Sequence, residues 1–240
     1  MAIFAIASMV LLSACKKSKV DNINDQHVAG LMAFNLVPDK IVAISIGGNL
    51  LPGSPLAFNT YTGVYLPVFP GNRTVESFDN ATNTSLASAS DSFAVDKFYS
   101  VFVAGPSGTY QNIIVNDNIE NLSASSGQAY VRYINAINGS ANVTVTISGS
   151  SANNSNIGFG NVSDFLAVTP GSMTITVTNG STVNVNRTIT IEAKKVYTVL
   201  LTSGATGAEP AQIKYIMNGT LNDGASGQRV SSDPRITTIK

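Results

Sequence analysis

Pro170-Gly171-Ser172-Met173-Thr174-Ile175-Thr176-Val177-Thr178-Asn179-Gly180 is the stretch that decides the fold. Met173, Ile175 and Val177 alternate with threonines, the pattern of a strand with one buried and one wet face. A helix would scatter those apolar residues around its axis. Pro170-Gly171 turns the chain into the strand, and Asn179-Gly180 can close a tight type I′ hairpin behind it.

Working outward, short strands are expected at 130–136, 142–148, 165–168, 173–178, 183–191, 196–202 and 212–217. Asn138-Gly139, Ser148-Gly149 and Ser203-Gly204 supply further turns between them. No stretch keeps helical periodicity over three turns. Short strands at this spacing predict an all-β fold, an antiparallel β-sandwich of immunoglobulin-like type.

The pattern occurs twice. Val42-Ala43-Ile44-Ser45-Ile46 matches Val143-Thr144-Val145-Thr146-Ile147, and Phe58 falls opposite Phe159. Pro70-Gly71 falls opposite Pro170-Gly171. Phe98-Tyr99-Ser100-Val101-Phe102-Val103 falls opposite Val196-Tyr197-Thr198-Val199-Leu200-Leu201. A constant offset near 100 residues across ordered matches predicts two tandem copies of one domain. Tyr99 and Tyr197, at equivalent places, read as framework. Pro52, Pro55, Pro67 and Pro70 crowd the first copy and predict edge strands or irregular loop there. The expected organisation is a signal peptide at 1–14, a flexible tether at 15–29, a first sandwich at 30–120, a linker at 121–128 and a second sandwich at 129–221. The tail at 222–240 holds a candidate last strand near 235–239.

The second copy contains Tyr130-Val131-Arg132-Tyr133-Ile134-Asn135-Ala136, then Val143-Thr144-Val145, then Gly158-Phe159-Gly160-Asn161-Val162-Ser163-Asp164-Phe165 and the Pro170-Gly171 strand. These elements resemble the domain-of-unknown-function 4397 family, found in secreted bacterial proteins and often in lipoproteins of Bacteroidota. The first copy resembles it less closely, with Tyr61-Thr62-Gly63-Val64-Tyr65 in the corresponding place. The matching motifs are strands and turns, so the resemblance implies a fold and no activity.

The amino terminus reads as an address. Residues 2–12 are almost wholly apolar, too short to span a bilayer, which needs about 20. They have the length of a signal-peptide core. Leu12-Ser13-Ala14-Cys15 follows and resembles a bacterial lipobox, with Cys15 the chain's only cysteine. The resemblance implies cleavage before Cys15 and acylation of that residue, which would anchor the chain to the outer membrane. No Lys or Arg precedes the run, a departure that a start further upstream would explain. Either face of that membrane is compatible with the sequence.

Composition narrows the function classes. Charged residues make up 12% of 240 residues, about half the ordinary share. Net charge is zero, so no basic face for nucleic acid is expected. With Cys15 lipidated, no disulfide is available and each domain relies on its apolar core. His27 is the only histidine and falls in the tether, a poor start for a Ser-His-Asp triad or a zinc site. Asp21–Asp25 and Asn116–Asn118 lack the spacing of a calcium loop and read as turn and linker residues. Asp and Glu are sparse for a glycosidase pair, and no glycine-rich phosphate loop is present. The expectation is no enzyme, no metal and no cofactor.

Two features remain. Tyr61, Tyr65 and Phe69 sit four apart and in one strand would share a face, a candidate sugar platform in a chain without tryptophan. Arg132 interrupts an apolar strand and is expected either to reach solvent or to pair with a carboxylate such as Asp164. The leading reading is a non-catalytic outer-membrane lipoprotein, its lipid on Cys15 in the membrane, presenting two β-sandwiches to a protein or glycan partner. A fimbrial or adhesin subunit assembling by strand addition through 235–239 is the first alternative. A glycan-binding accessory lipoprotein is the second.

Overall fold

The computed structural model describes residues 27–139, 142–150, 153–204, 210–221 and 236–237. Cys15 and the rest of 1–26 lie outside the described residues. In the first copy the strands are β1 (Ala29–Asn35), β2 (Val42–Ile46), β3 (Asn49–Leu50), β4 (Thr60–Tyr61) and β5 (Leu66–Val68). They continue with β6 (Gly71–Asp79), β7 (Ser85–Phe93), β8 (Phe98–Ala104) and β9 (Gln111–Asn116). The second copy has β10 (Ala129–Ala136), β11 (Val143–Ile147), β12 (Asn153–Ile157), β13 (Leu166–Val168) and β14 (Gly171–Thr178). Then come β15 (Asn184–Ile191), β16 (Lys195–Thr202), β17 (Gln212–Leu221) and β18 (Ile236–Thr237).

The fold is all-β, as alternation predicted. Each copy is two sheets packed face to face. In the first, β4-β1-β8-β9, with β5 also on β1, packs on β3-β2-β6-β7. In the second, β13-β10-β16-β17-β18 packs on β12-β11-β14-β15. Met173, Ile175 and Val177 point into the core with exposures of 1% or less, and the threonines between them stay half-buried. Pro67 sits on the short edge strand β5, where its missing N–H costs no ladder bond.

One pairing in each copy is not antiparallel. β1 runs parallel to β8, and β10 runs parallel to β16. All four strands are buried almost throughout. Their even residues and odd residues serve different cores. Leu31, Val101, Tyr99 and Val103 face the first sandwich's interior, whereas Val131, Tyr197, Val199 and Leu201 face the second's. The opposite faces of the same strands meet each other. Met32, Phe34, Phe98 and Phe102 form one cluster with Tyr130, Ile134, Val196 and Leu200. The molecule is therefore four sheets deep, with a third apolar core between the two copies. Strands covered on both faces lose the polar alternation of a half-wet strand.

The repeat sets the geometry of that contact. Met32 pairs in register with Ser100, and Arg132 with Thr198. Asn59 Nδ2 reaches Thr202 Oγ1 at 3.5 Å, so the carboxyl ends of β1 and of β16 lie at the same end of the molecule. The sheets thus pack with their parallel pairs running the same way. The starts of β1 and β10, the connection after β9 and the end of β17 gather at the other end.

Several local expectations change. Asn179-Gly180 does not close a two-residue turn. Gly180 has φ of 77°, but Asn179 lies outside the positive-φ residues that type I′ requires at both places. Instead Asn179 Oδ1 accepts from the backbone N–H of Ser181, Thr182 and Val183, closing a wider loop. β12 is not foreshadowed in the sequence, because Asn153-Asn154-Ser155-Asn156 carries no apolar alternation. The stretch 121–128 holds a 3-10 turn at Ala124–Ser126, and Ser123 N–H donates to Tyr130 Oη.

Candidate functional site

The sugar platform does not assemble. Tyr61 lies in β4, Tyr65 in the following loop and Phe69 beyond β5. Tyr61 is half-buried and stacks on Phe34 with ring centroids 5.6 Å apart. Tyr65 is 8% exposed and its ring meets Phe98 edge-on. Only Phe69, at 62% exposure, faces solvent. The spacing of four would unite them only in a continuous strand, and prolines and Gly63 break that strand.

Phe69 instead belongs to a groove. With Leu50, Leu51, Pro52, Pro67 and Arg73 it lines a cavity of about 300 Å³ at the end of the first sandwich where β1 begins. Leu50 is 67% exposed. Arg73 fixes the loop beneath, donating from Nε to Phe69 O and from Nη2 to Pro70 O.

The strongest chemistry lies between the copies. Arg132 is 2% exposed and neither reaches solvent nor pairs with Asp164. Its Nη1 donates to Asp117 Oδ1 of the first copy at 2.5 Å. Its Nη2 donates to Ser100 Oγ at 2.6 Å and its Nε to Thr198 Oγ1 at 3.0 Å. Thr198 Oγ1 donates to Asn218 Oδ1, Asn218 Nδ2 donates to Tyr65 Oη, and Tyr65 Oη donates to Asp117 Oδ2 at 2.6 Å. Ser100 Oγ also donates to Asp117 Oδ2. The side chains form a closed ring in which both charges are neutralised and every contact is directional. The Phe165 ring lies 4.5 Å from the guanidinium carbon and the Phe102 ring 5.5 Å from it.

A buried ion pair survives only when hydrogen bonds satisfy its remaining atoms, and the ring does this. Burial, reinforced by the Asp117 carboxylate, pushes the Tyr65 phenol well above its ordinary range, although Arg132 opposes that. In the sequence Asp117 reads as a turn residue between Asn116 and Asn118. The turn exists, with Asn116 Oδ1 accepting from Asn118 N–H, but the middle carboxylate points inward. Ser100 and Thr198 were visible as polar breaks at matching places in two apolar strands. Together with Arg132 they were the available signal.

His27 stands 3.8 Å from Asp96 with its side chain 62% exposed, so it remains at the edge of the fold. Among the described residues no three His, Cys, Asp or Glu side chains converge as a metal site would require. No helix among them is long and apolar enough to cross a membrane.

Comparison with known proteins bears on the repeat. The profile of the family described as Domain of unknown function (DUF4397) matches residues 29–136 and again 129–228. No curated protein matches the chain. Among solved structures, a candidate cell adhesion protein from Bacteroides fragilis NCTC 9343 aligns over 84% of this chain and 100% of its own. Identity there is 8% and the TM-score 0.24.

Proposed function

This chain belongs to the DUF4397 family, carried twice in tandem, and from that premise we propose a non-catalytic, lipid-anchored envelope protein that presents two fused β-sandwiches as one rigid body. The carrying observation is the core shared by the two copies, closed by the Arg132–Asp117 ring. Two domains joined by a short apolar interface would swing. An interface holding a buried ion pair with fixed hydrogen-bond geometry supports a single orientation. The buried Arg132–Asp117 ion pair serves this joint, which favours a structural role for it over catalysis.

Cys15 supplies the anchor in this reading, in the outer membrane, and the partner is a protein or glycan beyond it. Metabolic labelling with an alkyne fatty acid tests the anchor. Label should appear in the wild-type protein and vanish in Cys15→Ala; label retained by that variant sinks the membrane reading. Small-angle scattering tests the rigid body, which should give one compact particle whose dimensions do not change with salt.

One observation favours strand addition as a second reading. β18 pairs with the outer edge of β17, through Thr220 with Thr237 and Leu221 with Ile236. The same pairing made between chains would build a fimbrial polymer. Detergent-resistant ladders that disappear on deletion of 235–240 would select it. The glycan reading has lost its three-ring platform, since Tyr65 is committed to the ring.

A further inference from the structure

We propose that the end of the first sandwich carrying Leu50 and Phe69 rests on the lipid surface that holds the tether. The inference builds on the reading that Cys15 is acylated.

Position comes first. Ala29 opens β1 and pairs with Val68, so the chain from Cys15 enters the fold one residue from Phe69. Asp96 N–H donates to Val28 O, placing the turn with Val95 at that end too. The β2–β3 hairpin points the same way, since Gly47 N–H donates to Thr74 O near the start of β6.

Exposure agrees with position. Phe69, Leu50 and Val95 are 62%, 67% and 39% exposed, and the first two wall one groove. The other large apolar side chains this exposed among the described residues stand apart. Ile41, at 52%, lies at the opposite end beside Val42, and Tyr215 lies midway along β17 under Arg187. The apolar tip is also held stiff, because Arg73 caps two of its carbonyls. Of its acidic neighbours, Glu120 is paired with Lys97.

Tether length completes the argument. Cys15 and Ala29 are 14 residues apart, and a chain of that length spans at most about 50 Å even fully extended. That confines the tip near the headgroups at an effective concentration in the millimolar range. A weak preference of one phenyl ring and one leucine for the interface then suffices to dock it. Lys16, Lys17 and Lys19 would add attraction to anionic headgroups.

The chain's composition makes the test direct, because it has no tryptophan and one cysteine. The full chain is coupled through Cys15 to maleimide-bearing vesicles of phosphatidylethanolamine with some phosphatidylglycerol, so that docking is read whether or not cells acylate that residue. Phe69→Trp or Ile41→Trp serves as reporter, with lipids brominated on their acyl chains as quencher. Several-fold stronger quenching of Phe69→Trp than of Ile41→Trp is expected. With Val95→Trp as reporter, adding Leu50→Ser and Phe69→Ser should reduce its quenching to the Ile41→Trp level. Equal quenching at the two ends overturns the proposal. So does a solution dimer of the uncoupled chain that Leu50→Ser and Phe69→Ser dissociate, which would make the patch an interface between copies.

Discussion

Arg132 donates to Asp117 across the boundary between the copies, and the equivalent pair on the other side of the repeat is Met32 with Asn218. Asn218 Nδ2 lies 3.6 Å from Met32 Sδ. The correspondence follows from register: Met32 is to Ser100 as Arg132 is to Thr198. Asp117 follows the residue paired with Tyr99, and Asn218 follows the residue paired with Tyr197. Tyr65 and Phe165 complete the correspondence. The copies therefore meet as the two halves of an isologous dimer would. Identical halves would have to bury two such ion pairs or none. Fused halves bury one, and so avoid the second desolvation cost.

Removing one charge should be far worse than removing both. Arg132→Met leaves Asp117 buried without a cation and is expected to destabilise by about 3–5 kcal/mol. Arg132→Met with Asp117→Asn copies the Met32–Asn218 contact and should recover most of that loss. Urea denaturation of the singles and the double gives the coupling; additive effects would show that the two side chains do not act as a pair.

The two copies should unfold together. Phe102 is fully buried and stacks on Phe34 at 4.6 Å within the shared cluster. Phe102→Ala is expected to cost about 3–5 kcal/mol. Calorimetry should show one transition for the wild type. Two transitions should appear when Phe102→Ala is combined with Arg132→Ala. A wild-type chain that already melts in two steps would contradict the shared core.

Stability should fall in alkali. Burial raises the phenols of Tyr61, Tyr65, Tyr133 and Tyr197 above the ordinary 10.0. Their contribution is complete below that value. Above it the unfolded chain releases protons that the folded chain keeps, so stability declines as pH rises toward the folded values. Melting temperature followed from neutral pH to beyond 10 should show this decline, less steeply in Tyr65→Phe. A Tyr65→Phe profile parallel to wild type would count against ionisation of that ring.

Gly105 should resist any side chain. Its φ is +135°, and a Cβ there would meet Thr109 O at 2.4 Å and Tyr110 Cα at 2.9 Å, both backbone. Gly105→Ala is expected to lower the melting temperature by several degrees. Gly108→Ala, with open space around it and only its φ of +86° against it, should cost less.

The strands of the second copy were legible because they rest on local alternation, and the repeat because its matches keep one offset. In the second copy the expected strands fall within a few residues of those observed. The packing of the copies was not legible. Two-sided burial removes the alternation from β1, β8, β10 and β16, and an apolar run such as Phe98-Tyr99-Ser100-Val101-Phe102-Val103 does not say what covers its second face. Ser100, Thr198 and Arg132 carried the clue, but a lone Arg in an apolar strand is compatible with many partners. Asp117 could be identified only by bringing together segments that strand pairing makes neighbours. The platform of Tyr61, Tyr65 and Phe69 fails for a related reason: spacing of four implies a shared face only where the backbone stays extended.

The like direction of the parallel pairs has a consequence for display. The start of β1, the interdomain connection and the end of β17 all lie at one end, so duplication places the second sandwich beside the first rather than above it. The distal rim then offers two sets of loops side by side, around Pro38 and Gly105 in one copy and Asn138 and Asn179 in the other. A partner with repeated epitopes could engage both at once, and each bound site would raise the local concentration for the next. Avidity of that kind would depend on the joint staying stiff, which would put the spacing of that rim under the control of Arg132, a residue far from it.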